Sequence, residues 1–553
     1  MNQNKPILTP WQRFLGILNL ERKDIRQVLF YAIFSGLISL TLPLGIQAII
    51  NLIQGAQVST SWIVLVVLVT VGVAFVGILQ LMQMRIIETI QQRIFMRASF
   101  EFTYRFPKIK MSELRNSYPP ELANRFFDVL NIQKGLAKLL LDVPAAVLQI
   151  VFALILLSLY HPFFIAFGIL LIVLIYVVFK FTIQRGMETS LLESKQKYKV
   201  AHWIQEVARS ITSFKISGKT SMALDKNDYL VDGYLKAREN HFKILVLQFI
   251  QMIGFKIIVT AGLLVIGGLL VLSQEMNIGQ FVAAEIIILL VITSVEKLIL
   301  GLESFYDVLT SLEKMGQVVD KEIEEQTGVE PNFDTNFKIN LENISYSVPN
   351  KSEHILKNIS LSIKANSRVL VRGESGAGKS SLIRLIAGVI RPTKGNIYLN
   401  DTNFSNIYLN EYRAALGLDL ADDTPFEGTI KDNITFGNKN ISQEELDDVV
   451  KNVKLSKFVK QSEKGLDTII YPEAKQTSYT SAKKIILARA IIKKPKLLIL
   501  EDPLEHFERD EARELIAFLT DPARPWTLIV VSFNPDWESS CTDTITLKEG
   551  QII

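Results

Sequence analysis

A chain of 553 residues is too long for one ordinary core and implies at least two domains. With 49% hydrophobic and 21% charged residues and a mean hydropathy of +0.25, it reads as membrane-embedded segments joined to soluble ones. The net charge of +4, with no basic, aromatic-interleaved patch, argues against nucleic-acid binding; one cysteine, Cys541, and five histidines exclude an internal disulfide and argue against a thiolate or zinc centre.

Residues 1–27 are polar but place Trp11, Phe14, Leu15 and Leu18 at helical spacing. This is the pattern of an amphipathic helix on a membrane surface, with a short soluble helix as the alternative and a cleavable signal disfavoured. A transmembrane domain is expected over 28–320, with spans near 28–50, 62–82, 143–159, 163–181, 249–272 and 281–300, each near the ~20 apolar residues a bilayer requires. A large soluble bundle is disfavoured because 150–159 and 164–179 lack a polar face. Tyr160, His161 and Pro162 predict a tight hairpin between the third and fourth spans.

The connections at 54–61, 160–162 and 273–280 contain no Lys or Arg, whereas 85–142 and 182–246 are rich in both. Basic residues resist transfer across a bilayer, so both long stretches and both termini are expected in the cytoplasm. Helical periodicity persists through Ile86, Ile90 and Ile94 and through Trp203, Val207 and Ile211. The membrane helices should therefore extend into the cytoplasm, turning near 111–117 and 208–213.

Charges fall inside the spans. Lys256 and Glu296 lie equally far from the turn near Met276, which suggests an ion pair between antiparallel helices; snorkelling or lining a substrate path are the alternatives. Glu285 has no evident partner and is a candidate cavity-lining group.

Residues 321–336 read as a linker. From 337 to 553 short β-rich runs, such as 338–347, 359–363, 368–371, 496–500, 527–532 and 543–547, alternate with helical segments, predicting an α/β domain with a largely parallel sheet. Within it, Gly373, Glu374, Ser375, Gly376, Ala377, Gly378, Lys379 and Ser380, followed by Ser381, match G-x-x-x-x-G-K-[ST] between a strand and an apolar-striped helix. Glycines let the backbone wrap phosphate oxygens, amides and the helix N-terminus supply positive charge, Lys379 reaches the β- and γ-phosphates, and Ser380 ligates Mg²⁺.

These features together resemble the ABC exporter family over nearly the full length. Supporting segments are His354–Ile363, Gly395–Asp401, Gly428–Ile434 and Leu487–Ile491. In pattern the membrane part is similar to the toxin- and peptide-secretion group. The resemblance implies an all-α six-helix transmembrane domain with long cytoplasmic extensions, then an α/β P-loop NTPase domain. It also implies ATP and Mg²⁺ as cofactors, and as partners the lipid bilayer, a second half-transporter (itself or a paralogue) and an exported substrate.

The departures from that family concern hydrolysis. Its LSGGQ signature falls on Thr477, Ser478, Tyr479, Thr480 and Ser481, so both glycines are replaced. Its Asp–Glu pair falls on Glu501 and Asp502, placing Glu501 as the metal-holding acid and Asp502 at the water-orienting position. Phe533 stands at the switch histidine and cannot donate a hydrogen bond to a γ-phosphate. The membrane-coupling glutamine falls near Ala421, the adenine-stacking aromatic at Val348 with Tyr346 nearby, and an acidic loop residue at Glu508. The implied protein binds MgATP and turns it over slowly or only with a partner. The readings left open are an exporter of peptide, protein or amphipathic substrate, or a non-hydrolytic ABC-like regulator or degenerate half of a heteromer. A soluble P-loop kinase is disfavoured by the six spans.

Overall fold

In the computed structural model, residues 8–55, 60–115, 117–333, 336–348, 354–474 and 476–553 are described. Residues 1–7 of the expected surface helix, 56–59 of the first bare loop, 116 of the first cytoplasmic turn and 334–335 of the linker lie outside them. The chain forms two compact units, one of Met1–Ile109 with Glu113–Glu322 and one of Lys110–Ser112 with Ile323–Ile553.

The first unit is all helical. Helix α1 (Pro10–Leu20) starts at a capping box in which the Gln12 amide donates to Thr9 Oγ1 at 3.2 Å and the Thr9 amide to Gln12 Oε1 at 2.9 Å. Then follow α2 (Arg22–Ser39), α3 (Thr41–Gln54), α4 (Thr60–Arg105), α5 (Met111–Leu114), α6 (Pro119–Asn124), α7 (Asp128–Tyr160), α8 (Phe163–Arg209), α9 (Ile211–Ile216), α10 (Met222–Leu272) and α11 (Ile278–Val319). At 1.5 Å per residue α4 runs about 70 Å, roughly twice the hydrocarbon thickness, so its polar half continues beyond the apolar stretch. Among the described residues, six helical stretches are long and apolar enough to cross a membrane: Arg22–Gln54, Thr60–Lys108, Pro119–Tyr160, Phe163–Arg209, Met222–Leu272 and Ile278–Val319.

Local chemistry sets the breaks. The first stretch is two helices meeting at Leu40, with Pro43 in the opening turn of α3, where its missing N–H is tolerated. His161 and Pro162 separate α7 from α8. The reversal after α8 comes later than 208–213: Ser210 only interrupts the helix, α9 continues it, and Gly218, at φ +63°, turns the chain before α10. On α1 the apolar stripe divides. Phe14 is buried edge-on against Phe305 of α11, ring centroids 5.8 Å apart, while Trp11 and Leu15 remain half exposed.

Helices α8, α10 and α11 enclose a polar knot. Gln248 Nε2 donates to Tyr306 Oη at 3.0 Å, and Tyr306 Oη donates to the Thr182 carbonyl. A Cβ on Gly186 would stand 2.6 Å from that hydroxyl, so glycine gives the ring its place. Further along, Lys256 Nζ donates to Glu296 Oε2 at 2.7 Å, joining α10 to α11. Glu285 is half-buried and forms no ion pair among the described residues. An unpaired charge at bilayer depth costs about 2.5–3.5 kcal/mol on insertion scales. Lys256→Met should therefore lower the thermal midpoint in lipid nanodiscs more than Lys256→Met with Glu296→Met; equal loss in both would show the pair carries no stability.

The second unit contains two main sheets. Its elements are β1 (Lys338–Ser347), β2 (His354–Lys364), β3 (Arg368–Gly373), α12 (Lys379–Ile386), β4 (Lys394–Leu399), β5 (Thr402–Asn403), α13 (Leu409–Ala414), β6 (Leu416–Asp419), β7 (Gly428–Thr429), α14 (Ile430–Thr435), α15 (Gln443–Asn452), α16 (Ser456–Gln461), β8 (Ile469–Ile470), α17 (Tyr479–Ile492), β9 (Leu497–Glu501), α18 (Arg509–Thr520), β10 (Thr527–Val531), β11 (Asp543–Lys548) and β12 (Gln551–Ile552). The order β12-β11-β3-β10-β9-β6 is parallel from β11 to β6, with β12 antiparallel at the edge. A second sheet, β2-β1-β4-β5, is antiparallel and was not anticipated from the strand pattern.

Both faces of the parallel sheet are covered, and side chains alternate between two cores. Val369, Val371, Leu497, Ile499, Ile529 and Val531 enter the core beneath α12. Leu370, Leu498, Leu500, Leu528 and Val530 enter the one beneath α17 and α18. Each such side chain contributes about 1.5–3 kcal/mol relative to exposure. The result is a rigid row of strand ends from which the phosphate loop and the acidic pair emerge.

Candidate nucleotide-binding site

Strand β3 ends at Gly373, and the loop to α12 holds three left-handed glycines, with φ +148° at Gly373, +83° at Gly376 and +99° at Gly378. A Cβ on Gly378 would lie 2.7 Å from Leu356 Cδ2 and 3.0 Å from the Ile355 carbonyl, so backbone and neighbours both require glycine there. Gly376 has open space around it and needs glycine for its φ alone. Glu374, Ser375 and Gly376 are exposed, Ala377 is buried, and Ser380 and Ser381 lie partly buried on the first turn of α12. Amides at a helix N-terminus behind a concave glycine loop are suited to bind an anion.

Lys379 lies against this loop. Its ammonium donates to the Gly373 carbonyl at 2.8 Å and the Glu374 carbonyl at 2.9 Å, and stands 4.5 Å from the centroid of the Phe533 ring. Burial pushes its pKa down, opposed by Asp502 and Glu501. Phe533 follows β10 and is held in place by its neighbours. The Asn534 amide donates to Ser532 Oγ, Asn534 Oδ1 accepts from the Asp536 amide, and Trp537 anchors the turn in the core.

Across the sheet, β9 carries Glu501 to the same edge. The Ser380 hydroxyl donates to its carboxylate, and the Ala421 amide donates to Glu501 Oε2 at 3.1 Å. A hydroxyl and a carboxylate converging in this way form a hard-oxygen donor set that fits Mg²⁺. Asp502 is the next residue, at φ +44°, a left-handed conformation that Asp tolerates through its short polar side chain. Its amide donates to the Val531 carbonyl at 2.9 Å. Burial, then Glu505 and Glu501, raise its pKa, opposed by Lys379 and by a main-chain hydrogen bond from Phe533.

The fold therefore brings together Gly373–Ser381, Glu501, Asp502 and Phe533. Residues 477–481 lead into α17 and form its first turn, and Tyr479 lies within electrostatic reach of Asp502. Ser478 caps α17, accepting from the Ser481 amide at 3.2 Å and donating to Ser481 Oγ at 2.8 Å. The Tyr479 ring stands half-exposed, edge-on to His506, with centroids 5.4 Å apart. Glu508 is an exposed residue before α18. Tyr346 is buried in the core and cannot offer a stacking face, whereas Val348 is partly exposed.

One ion pair escaped sequence reasoning. Lys483 of α17 donates to Asp419 Oδ1 at 3.0 Å, with side-chain exposures of 5% and 0%. Asp419 Oδ2 has no hydrogen-bond partner among the described residues. Its signal in the sequence is the single acid in the apolar run 416–420. The pair lies beside Ala421 and so ties α17 to the segment that contacts Glu501.

Comparison with known proteins agrees with this geometry. Residues 26–295 match the ABC transporter transmembrane region, and residues 356–505 match the ABC transporter domain. The chain belongs to the ABC transporters. It is 24% identical over 354 residues to the Escherichia coli alpha-hemolysin translocation ATP-binding protein HlyB, covering 64% of this chain and 50% of that protein. It is 31% identical over 248 residues to the Candida albicans ATP-dependent permease MDL1, covering 44% and 36%. The chain thus spans about half or less of the length of these curated relatives. A solved bacterial Atm1-family ABC exporter with ATP bound superposes with a TM-score of 0.86 at 17% identity, covering 97% of this chain and 95% of that one, a likeness of fold. This ABC transporter chain is accordingly a multi-pass membrane protein whose second unit is the family's ATP-binding domain.

Proposed function

We propose that the chain is an exporter-type transporter subunit moving a peptide, protein or amphipathic substrate across a membrane, with impaired ATP hydrolysis at sites built from itself alone. The carrying observation is the contrast at the sheet edge. The glycine loop, Lys379 and the Ser380–Glu501 pair suit a magnesium nucleotide, while Phe533 occupies the switch position without a donor. Bound Mg²⁺ would supply positive charge that neutralises the phosphates. Ser380 and Glu501 would hold it, and loop amides with Lys379 would hold the phosphates. Asp502 carries the carboxylate in the water-orienting place, one methylene shorter than glutamate. A misplacement near 1 Å can cost ~10²-fold in rate.

The distribution of basic residues supports cytoplasmic termini, and a bacterial cytoplasmic membrane is the proposed location. A second half, itself or a paralogue, would complete the path, since symmetric association is the usual route to a closed assembly. The same loss of a donor at Phe533 favours a second reading, a non-hydrolytic regulator or degenerate half in which ATP selects a conformation.

Turnover of the full-length protein in nanodiscs, assayed beside an intact ABC exporter, tests both. Retention of MgATP with turnover at least about 100-fold slower is expected. Turnover at the intact exporter's level that disappears in Lys379→Ala would overturn the impaired-hydrolysis reading. Activity restored only by a paralogous half would favour the heteromer.

A further inference from the structure

We propose that this nucleotide site does not distinguish ATP from ADP, and that Phe533 is the residue that makes it indifferent to the γ-phosphate. The inference rests on the reading above that the phosphate loop binds nucleotide.

The ammonium of Lys379 has three N–H donors. Two are used on the Gly373 and Glu374 carbonyls, and the aromatic face of Phe533 lies 4.5 Å from the nitrogen. The ring is 61% exposed, so core packing does not explain its position. What holds it there is the Ser532–Asn534–Asp536 turn, and what it touches is the lysine. An aromatic face carries the negative end of a quadrupole, which attracts a cation and offers nothing to an anion.

The other groups bearing on this position are acidic. The charges that act on Lys379 are Asp502 and Glu501, and Glu505 adds to the field at Asp502. A terminal phosphate brings more negative charge toward these carboxylates. To be held by Lys379 it must also displace the lysine from two carbonyls and the ring. The inner phosphates differ, because the loop amides and the α12 N-terminus serve them and the one unused N–H of Lys379 can reach the β-phosphate without leaving either carbonyl. Affinity is thus set by the part that ATP and ADP share.

Equilibrium titration of ATP and of ADP, each with MgCl₂, into the full-length protein in nanodiscs tests this. Calorimetry at a temperature where no phosphate is released gives the two Kd values. They are expected to agree within about fivefold. Phe533→His supplies a donor and should increase the preference for ATP at least about fivefold over the parent. Phe533→Leu removes the aromatic face but adds no donor, so ADP should bind as in the parent and ATP should tighten by less than in Phe533→His. Unliganded melting midpoints of both variants, equal to the parent because the ring is largely exposed, confirm folding. A parent preference for ATP beyond about fivefold overturns the proposal. An unchanged ratio in folded Phe533→His overturns the assignment to Phe533. Binding of neither nucleotide overturns instead the underlying reading that the loop is a nucleotide site.

Discussion

Lys379→Ala should weaken MgATP binding to the full-length protein by about 10- to 100-fold. Charge-assisted hydrogen bonds are worth about 1.5–3 kcal/mol each, and every ~1.4 kcal/mol is a tenfold change. One lysine–phosphate contact, to the part that ATP and ADP share, therefore accounts for that loss. The unliganded lysine also bonds Gly373 and Glu374, so the alanine variant loosens the loop that must wrap the phosphates. The measurement is a nucleotide titration paired with an unliganded melt. The melting midpoint should move little, since the strand ends beneath the loop are held by the two cores on either side of the parallel sheet. Near-normal affinity in a folded Lys379→Ala protein would mean that the loop amides alone bind the nucleotide, and the site would need a different account.

The second large effect is expected inside the ATP-binding domain. Lys483→Met leaves the Asp419 carboxylate buried, with one oxygen newly unpaired beside one that already has no partner. Breaking a buried pair from one side costs about 3–5 kcal/mol, whereas replacing both members by apolar groups is often neutral. Thermal unfolding should thus show a fall of about 10 °C for Lys483→Met and a much smaller one for Asp419→Val with Lys483→Met.

The loss should depend on pH. Burial raises Asp419 to about 7, opposed by Lys483 and Arg489, while Asp423 adds to the rise. A carboxyl whose folded pKa lies above its unfolded value contributes stability below the unfolded value and loses it as pH rises through the folded one. Without Lys483 the folded value rises further. The deficit of Lys483→Met should therefore be small near pH 6 and grow by pH 8.5. A deficit independent of pH would mean that lost packing by the lysine stem, and not the stranded charge, destabilises the variant.

Much of the fold is legible in the chain. The apolar stretches are long enough to span a bilayer and lack a polar face, and the Tyr160–Pro162 break ends one helix and starts the next. Where reading erred, the missing information was local backbone geometry or pairing. The turn expected near 208–213 falls later, because Ser210 only interrupts the helix, which resumes as α9, and Gly218 makes the turn. Alternating runs in 338–364 showed strands without showing that they form a separate antiparallel sheet, because alternation reports which face is buried and not which strand is the neighbour. Tyr346 kept the right residue type for stacking but has the core-facing parity of β1.

What the sequence determined by itself is the division into a polytopic helical part and a P-loop domain. Both signals are short-range: the length of apolar runs, and the spacing of Gly373, Gly376, Gly378, Lys379 and Ser380. Tertiary structure decided which distant groups meet them. The crossovers that place β10 between β3 and β9 set Phe533 against Lys379 and Glu501 against Ser380, and the packing of α17 beside β6 joins Asp419 to Lys483. Those meetings depend on strand order and side-chain direction, and residue pattern along one segment carries neither.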